Sequence, residues 1–328
     1  MEGLWTTQVG SLPKPPALAK ARTEFARGKL PQEDLEAMER EYTKFWMDFQ
    51  NELGLDIVVD SEMYRGDMAT YFAEMMEGME ISGLVRSYGN RYYRKPIAVG
   101  PLKRVKSFTL DWWHYAQSLT NKPVKGMITG PYTMAEWSYN NYYDTQEEFV
   151  LAMAEVLHEE VVDLEKAGAK YIQIDEPAVS TRPEDLPLAI RAMAVVVDGI
   201  EATTGTHICY GDFEAIYPKM LDIPVDVIDL EMANSDFSLL DLFSSRAPFT
   251  KNLAMGVVDV HSHIVENKEQ VKAGIYKGLD VVPADRLYID PDCGLKTRSV
   301  DEAQAKLAVI VEAVGEVRQE LGLENAQG

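Results

Sequence analysis

The chain has 328 residues, of which 46% are hydrophobic and 26% charged, the composition of a folded globular protein. Its formal net charge of −21 argues against nucleic acid and anionic membrane as partners, because the overall field would repel both. No basic and apolar leader opens the sequence, and no apolar run approaches the roughly 20 residues of a membrane span. We therefore expect a cytoplasmic protein with no nucleic-acid or membrane partner, folded as one domain over residues 1–328.

Short apolar, β-branched runs alternate with longer segments of helical period, which is the pattern of a parallel α/β fold. The candidate strands are 6–11, 56–62, 95–102, 124–131, 171–177, 206–211, 226–231, 254–261 and 287–293. The candidate helices are 33–53, 145–168, 186–204, 212–221, 265–278 and 301–321. Nine strands are one too many for a closed barrel, and the run at 95–102 follows a polar stretch with no helix before it. The sequence therefore predicts a TIM (β/α)8 barrel with a hairpin excursion near 85–106.

The only two cysteines, Cys209 and Cys293, each lie at the end of a predicted strand, where barrel enzymes collect their chemistry. His207 comes two residues before Cys209, so on a strand both side chains face the same way and can share one ion. A second thiolate from a distant strand would complete a soft site that suits Zn²⁺ better than Mg²⁺ or Ca²⁺. Glu231, which also ends a predicted strand, is the candidate for a fourth, displaceable ligand.

Carboxylates end two other predicted strands, at Glu62 and at Asp175. Two carboxylates that face one amino group fix its orientation through charge-assisted hydrogen bonds. Asp175 is followed by Glu176 and Pro177, and an acidic pair in this position could instead cap the next helix. Both interpretations stay open from the residues alone.

Three further residues lie at predicted strand ends or just beyond them. Ser11 could present its hydroxyl to a substrate carboxylate, or it could cap a helix. His261 is favoured over His263 as a rim residue by its register with Asp259, and a neutral core histidine is the alternative. Trp137 could lie against a planar ligand or belong to the core.

Six phrases occur in order between residues 7 and 298. They are TQVGSLP (7–13), GMITGP (126–131), QIDEPA (173–178), HICY (207–210), GVVDVHS (256–262) and PDCGLKTR (291–298). Together they resemble the C-terminal catalytic domain of cobalamin-independent methionine synthase. Because the chain begins at this barrel, it is similar to the short, stand-alone core methionine synthases.

The resemblance implies a TIM barrel of the uroporphyrinogen decarboxylase and methionine synthase type that transfers a methyl group to the thiol of homocysteine. The zinc ligands that it implies are His207, Cys209, Glu231 and Cys293. By the same match, Ser11, Glu62 and Asp175 would hold the amino-acid end of homocysteine, and His261 would lie near the reacting centre. We also expect Trp137 to be a substrate-binding residue.

The full-length family has a second, N-terminal barrel that helps to bind the polyglutamate tail of methyltetrahydrofolate. We therefore expect methylcobalamin or a methylated corrinoid protein as the donor, since a cobalt(I) corrinoid leaves without a proton whereas a folate amine needs one. The alternatives are methyltetrahydrofolate as the donor, transfer to another small thiol such as coenzyme M, and a non-catalytic zinc-binding accessory protein. Glu62 and Asp175 argue against coenzyme M, because a sulfonate thiol has no ammonium group.

Overall fold

A computed structural model describes residues 3–86 and 92–323 of the chain. The strands within these ranges are Trp5–Thr6 (β1), Met76–Arg86 (β2), Tyr92–Arg104 (β3), Gly126–Thr129 (β4), Tyr139–Asn140 (β5), Tyr171–Asp175 (β6), Thr203–Ile208 (β7), Val227–Leu230 (β8), Asn252–Gly256 (β9) and Leu287–Asp290 (β10). The α-helices are Pro16–Ala26 (α1), Gln32–Leu53 (α2), Thr70–Ala73 (α3), Leu110–Gln117 (α4), Pro131–Glu136 (α5), Gln146–Ala167 (α6), Leu186–Val196 (α7), Phe213–Ile216 (α8), Leu240–Ser245 (α9), Lys268–Leu279 (α10) and Val300–Leu321 (α11).

Seven strands form one sheet in the order β1-β10-β9-β8-β7-β6-β4. β10 pairs in parallel with β1 and β9, and β6 pairs in parallel with β4 and β7. The predicted strand at 56–62 is reduced to one parallel bridge between Val58 and Val124. The backbone amides of Asp56 and Ile57 both donate to the Thr6 carbonyl at 3.1 Å, so this segment lies against the end of β1.

The predicted hairpin excursion is confirmed. β2 and β3 pair antiparallel, and β5 adds to β3 in parallel, which gives a separate three-stranded sheet. The excursion begins at Met76, earlier than expected, and residues 87–91 within it lie outside the described ranges. The run at 95–102 belongs to this sheet.

Helix predictions succeed where the caps are local. α6 begins after Thr145, whose hydroxyl accepts from the Glu148 amide, and α11 has a capping box at Ser299. The predicted helix at 186–204 ends early at Val196, because Gly199 turns the chain with a φ of 71°. The segment predicted at 212–221 contains only the four-residue α8 and a 3₁₀ turn.

The chain folds as two compact units. The first comprises Met1–Tyr64, Tyr115–Lys125 and Asp229–Gly328, and the second comprises Arg65–His114 and Gly126–Ile228. None of the described helices is long and apolar enough to cross a bilayer. The expected single domain and the expected cytoplasmic location stay predictions.

A strained loop in the first unit follows the bridge at Val58. Ser61 and Glu62 have left-handed backbones, with φ values of 66° and 57°, which cost energy for residues other than glycine. The Lys14 ammonium donates to the Glu62 carbonyl at 3.0 Å, and Arg22 donates to the carbonyl of Tyr64 at 3.0 Å. These cations hold the loop in its strained form.

The Lys14 side chain is a half-buried cation at this loop. Burial lowers its pKa to about 8, and the nearby Arg22 guanidinium acts in the same direction. Its pKa in the unfolded chain is near 10.5, so between about pH 8 and 10.5 the unfolded chain binds more protons than the folded one. The free energy of unfolding should therefore rise with pH across this window.

Lys14→Met should remove this rise, which amounts to at most about 3 kcal/mol by linkage. Lys20→Met is the matched control, because Lys20 is an exposed lysine in α1 whose side chain is 77% accessible. Urea denaturation of the three proteins at pH 7.5 to 10.5, in steps, measures the effect. If wild type and Lys14→Met gave parallel curves, the ionisation of Lys14 would not be coupled to folding.

Candidate metal and substrate site

His207 and Cys209 lie at the carboxyl end of β7, and both are buried. Their ligand atoms and that of Cys293 all lie within 4.8 Å of one another. One imidazole nitrogen and two thiolates form a soft donor set that suits zinc, so these residues fit the predicted metal. Glu231 is buried directly after β8, and its assignment as a fourth ligand stays a prediction.

Ser180 holds the turn that follows β7. Its hydroxyl oxygen lies 2.8 Å from the Cys209 carbonyl oxygen and 3.1 Å from that of Tyr210. Tyr210 has a φ of 51°, an outlier for a bulky residue. A Cβ added to Gly211 would lie 2.2 Å from the Ser180 Cβ, so the glycine lets the two segments meet. A strained residue thus follows a proposed metal ligand directly. Ser180, which binds this turn, was not among the residues predicted from the sequence.

Cys293 follows the buried Asp292, a second residue that was not predicted from the sequence. One Asp292 oxygen accepts from the amides of 232 and 233, and the other accepts from the amide of 234, each at 2.8 Å. Burial raises the pKa of Asp292 to about 7, although these hydrogen bonds act in the opposite direction. The three amides come directly after Glu231, so one carboxylate joins the segments that carry two proposed ligands.

Ser11 lies against the segment that follows Cys293. A Cβ added to Gly294 would be 2.1 Å from the Ser11 hydroxyl oxygen, so only glycine leaves room for this side chain. The helix-capping alternative for Ser11 fails, because α1 begins at Pro16 and its N-cap is Pro15, without a side-chain cap. Ser11 therefore lies beside a proposed metal ligand within the first unit.

Asp175 and Glu176 have different roles. Asp175 ends β6, and its carboxylate accepts from the Gln173 side chain at 2.7 Å. Glu176 is fully buried and accepts from the amides of Tyr132 at 3.0 Å and Thr133 at 2.7 Å, at the start of α5. Burial raises the pKa of Glu176 to about 7 against these bonds. Capping of the next helix is therefore wrong, because Glu176 makes no side-chain cap bond to the 3₁₀ turn that begins at Pro177. Glu176 instead binds the first turn of α5, which precedes it in sequence.

Trp137 is the C-cap residue of α5, so it ends the short helix that Glu176 holds at the other end. Its carbonyl accepts from the Tyr93 hydroxyl at 3.0 Å, and its side chain is half-buried. A half-buried ring can both pack against the protein and offer one face to a ligand. The proposed contact with a substrate stays a prediction.

His261 is exposed, which excludes the alternative of a core histidine. It lies in a loop whose base is held by a buried ion pair, in which Lys306 binds Glu266 at 2.7 Å. The other Glu266 oxygen accepts from the Asp259 amide at 2.8 Å, and the His261 amide donates to the Asp259 carboxylate at 2.7 Å. His263 is also exposed, and it pairs with a glutamate of α11.

The family described as the cobalamin-independent synthase catalytic domain matches residues 4–316. Two curated 5-methyltetrahydropteroyltriglutamate–homocysteine methyltransferases, from Burkholderia thailandensis and Lactococcus lactis subsp. cremoris, are 40% and 38% identical over 96% of this chain. The chain spans 42% and 43% of the length of these relatives.

Two solved structures share the fold of this chain. A B12-independent methionine synthase from Shewanella sp. W3-18-1, in complex with selenomethionine, is 29% identical to this chain and superposes with a TM-score of 0.87. The match covers 97% of this chain and 99% of that chain. A putative vitamin-B12 independent methionine synthase from Listeria monocytogenes has a TM-score of 0.77 at 21% identity, with 94% of this chain and 96% of that chain covered. The predicted fold class is therefore confirmed.

The expectation of methylcobalamin or a methylated corrinoid protein as donor is wrong. The family is cobalamin-independent by description, and the relatives are named for methyltetrahydropteroyltriglutamate. The expectation rested on the second barrel of the full-length family, yet the Shewanella structure, of which 99% is covered by this chain, is also described as a B12-independent synthase. The chain belongs to the cobalamin-independent methionine synthase family, over its catalytic domain.

Proposed function

We propose that this chain transfers a methyl group from a methyltetrahydropteroylglutamate to the thiol of homocysteine and so forms methionine. In this proposal, zinc is bound by His207, Cys209, Cys293 and Glu231. The observation that carries it is the mutual approach, within 4.8 Å, of one imidazole nitrogen and two cysteine sulfurs in a chain of this family. The names of the relatives favour homocysteine over other small thiols as the acceptor.

The acceptor thiol needs activation, because a free thiol has a pKa near 8.5 and is mostly protonated at neutral pH. Zinc at the proposed ligands would supply this activation, since a coordinated thiol is deprotonated while its sulfur stays nucleophilic. The task of the protein is to hold the amino-acid end of homocysteine so that its sulfur is directed at the donor methyl group.

The ammonium group of homocysteine needs hydrogen-bond acceptors, preferably anionic ones, and its carboxylate group needs hydrogen-bond donors. We assign the ammonium group to Glu62 and Asp175, and the carboxylate group to Ser11. Charge-assisted hydrogen bonds to two carboxylates orient an ammonium group strongly. The hydrogen bond from the Lys14 ammonium to the Glu62 carbonyl supports this assignment, because it fixes the backbone of one of these carboxylate residues.

The folate product must gain a proton when it loses its methyl group. When the methyl group moves from the folate nitrogen to sulfur, the electron pair of the broken C–N bond stays on nitrogen, which must then gain a proton. We assign this proton to His261, because it is exposed on a loop anchored by the Lys306–Glu266 ion pair. Trp137 offers an aromatic face for the flat pterin ring.

Cys209→Ser and Cys293→Ser should each lose bound zinc and methionine formation together, since a serine hydroxyl is a poor ligand for zinc. Metal analysis after gel filtration, with a methionine assay on the same samples, measures both. Wild-type protein that is stripped by a chelator and reloaded with Zn²⁺ is the control, and it should recover activity. Retention of one zinc per chain by both variants would contradict the ligand set.

His261→Ala should lower kcat with a methyltetrahydropteroylglutamate donor by about 10²- to 10⁴-fold, the usual contribution of a general acid. Zinc content and the KM for homocysteine should not change. His263→Ala is the matched control, because this exposed histidine is two residues away and pairs with Glu302. Equal kcat losses in the two variants would exclude a specific role for His261.

A further inference from the structure

Asp292 reaches across the end of a neighbouring strand. It lies two residues after β10, and the amides of 232–234 that it binds follow β8, whereas β9 lies between these two strands in the sheet. β9 ends at Gly256, where an added Cβ would be 2.2 Å from Asp292 Oδ1. The φ of Gly256 is not in the left-handed region, so space for the carboxylate is what requires a glycine.

Glu176 forms a second bridge of this kind, to the turn that follows the adjacent strand. It lies directly after β6 and reaches across Gly130, which follows the neighbouring strand β4, to the amides of Tyr132 and Thr133. A Cβ added to Gly130 would be 2.3 Å from the Glu176 carboxyl carbon. Both carboxylates are therefore buried bridges that fix the start of a helical turn against the end of a strand.

The two bridges join different parts of the proposed site. Asp292 immediately precedes Cys293, and the amides that it binds immediately follow Glu231. Glu176 immediately follows Asp175 and holds the helix that ends at Trp137. The first bridge thus joins two proposed metal ligands, and the second joins two proposed substrate-binding residues.

We propose that Asp292 is a positioning residue for zinc, which sets the separation of Cys293 and Glu231. The inference rests on the proposed function. A carboxylate is needed because its two oxygens accept three hydrogen bonds from consecutive amides; in asparagine, an NH₂ group would replace one acceptor and face an N–H group. Residues that orient metal ligands typically change metal affinity by 10- to 100-fold when they are replaced.

The test compares Asp292→Asn with its matched control, Glu176→Gln, which makes the same chemical change in the other bridge. The dissociation constant for Zn²⁺ is measured by competition with a chelator, and the KM for homocysteine is measured on zinc-loaded protein. Asp292→Asn should raise the zinc dissociation constant about 10- to 100-fold. Glu176→Gln should leave it unchanged and raise the KM for homocysteine. Thermal unfolding of both metal-free variants should show similar losses of stability.

Gly256→Ala provides a second route to the same result, because it keeps the carboxylate but displaces it, and it decides the matter if Asp292→Asn does not fold. Wild-type zinc affinity in folded Asp292→Asn or Gly256→Ala would overturn the inference. An equal loss of zinc affinity in Glu176→Gln would also overturn it, since the effect would then be general destabilisation. If the wild-type chain binds no zinc, the proposed function fails instead.

Discussion

Buried carboxylates that accept hydrogen bonds from the backbone amides of a distant turn organise this protein. Glu160 binds the amides of Phe108, Thr109 and Leu110 at the start of α4, Glu176 binds those that begin α5, and Asp292 binds those that follow β8. Hydrogen bonds to charged acceptors contribute about 1.5–3 kcal/mol each, enough to offset much of the cost of burial. Two of these three carboxylates are sequence neighbours of proposed site residues, so the interactions that fix the backbone also fix the site.

Backbone strain also occurs beside proposed site residues. Glu62 and Tyr210 both have left-handed backbones, and each such residue costs on the order of 1–3 kcal/mol. Lys14 and Ser180 bind the carbonyl groups of these segments and hold them in place. Strain that the surroundings maintain is typical of functional loops, because a relaxed loop would present its side chains less reproducibly.

Local sequence signals predicted the elements that carry their own caps. α6 and α11 were predicted closely because Thr145 and Ser299 are adjacent to the helices that they cap. α4 and α5 were missed because Glu160 and Glu176, which hold their first turns, are 50 and 43 residues away in sequence from amides that they bind. The parallel sheet followed from periodicity, whereas the reduction of 56–62 to one bridge depends on neighbours that no local pattern reveals.

The candidate site was predictable to a similar degree. The spacing of His207 and Cys209 and the scarcity of cysteine indicated the group whose ligand atoms meet within 4.8 Å. Asp292 and Ser180 were missed because their roles depend on backbone groups, which have no sequence signature. The methyl donor was predicted wrongly because the length of a sequence does not determine which donor its catalytic domain uses.

We propose that this chain transfers a methyl group from a methyltetrahydropteroylglutamate to homocysteine. The most direct measurement supplies the purified, zinc-loaded protein with homocysteine and 5-methyltetrahydropteroyltriglutamate that carries ¹³C in its methyl group. Mass spectrometry then follows the label, with methylcobalamin as the comparison donor. We expect labelled methionine from the folate donor, and none when zinc is removed. Methionine formed from methylcobalamin alone, or no methionine from either donor, would exclude the proposed reaction.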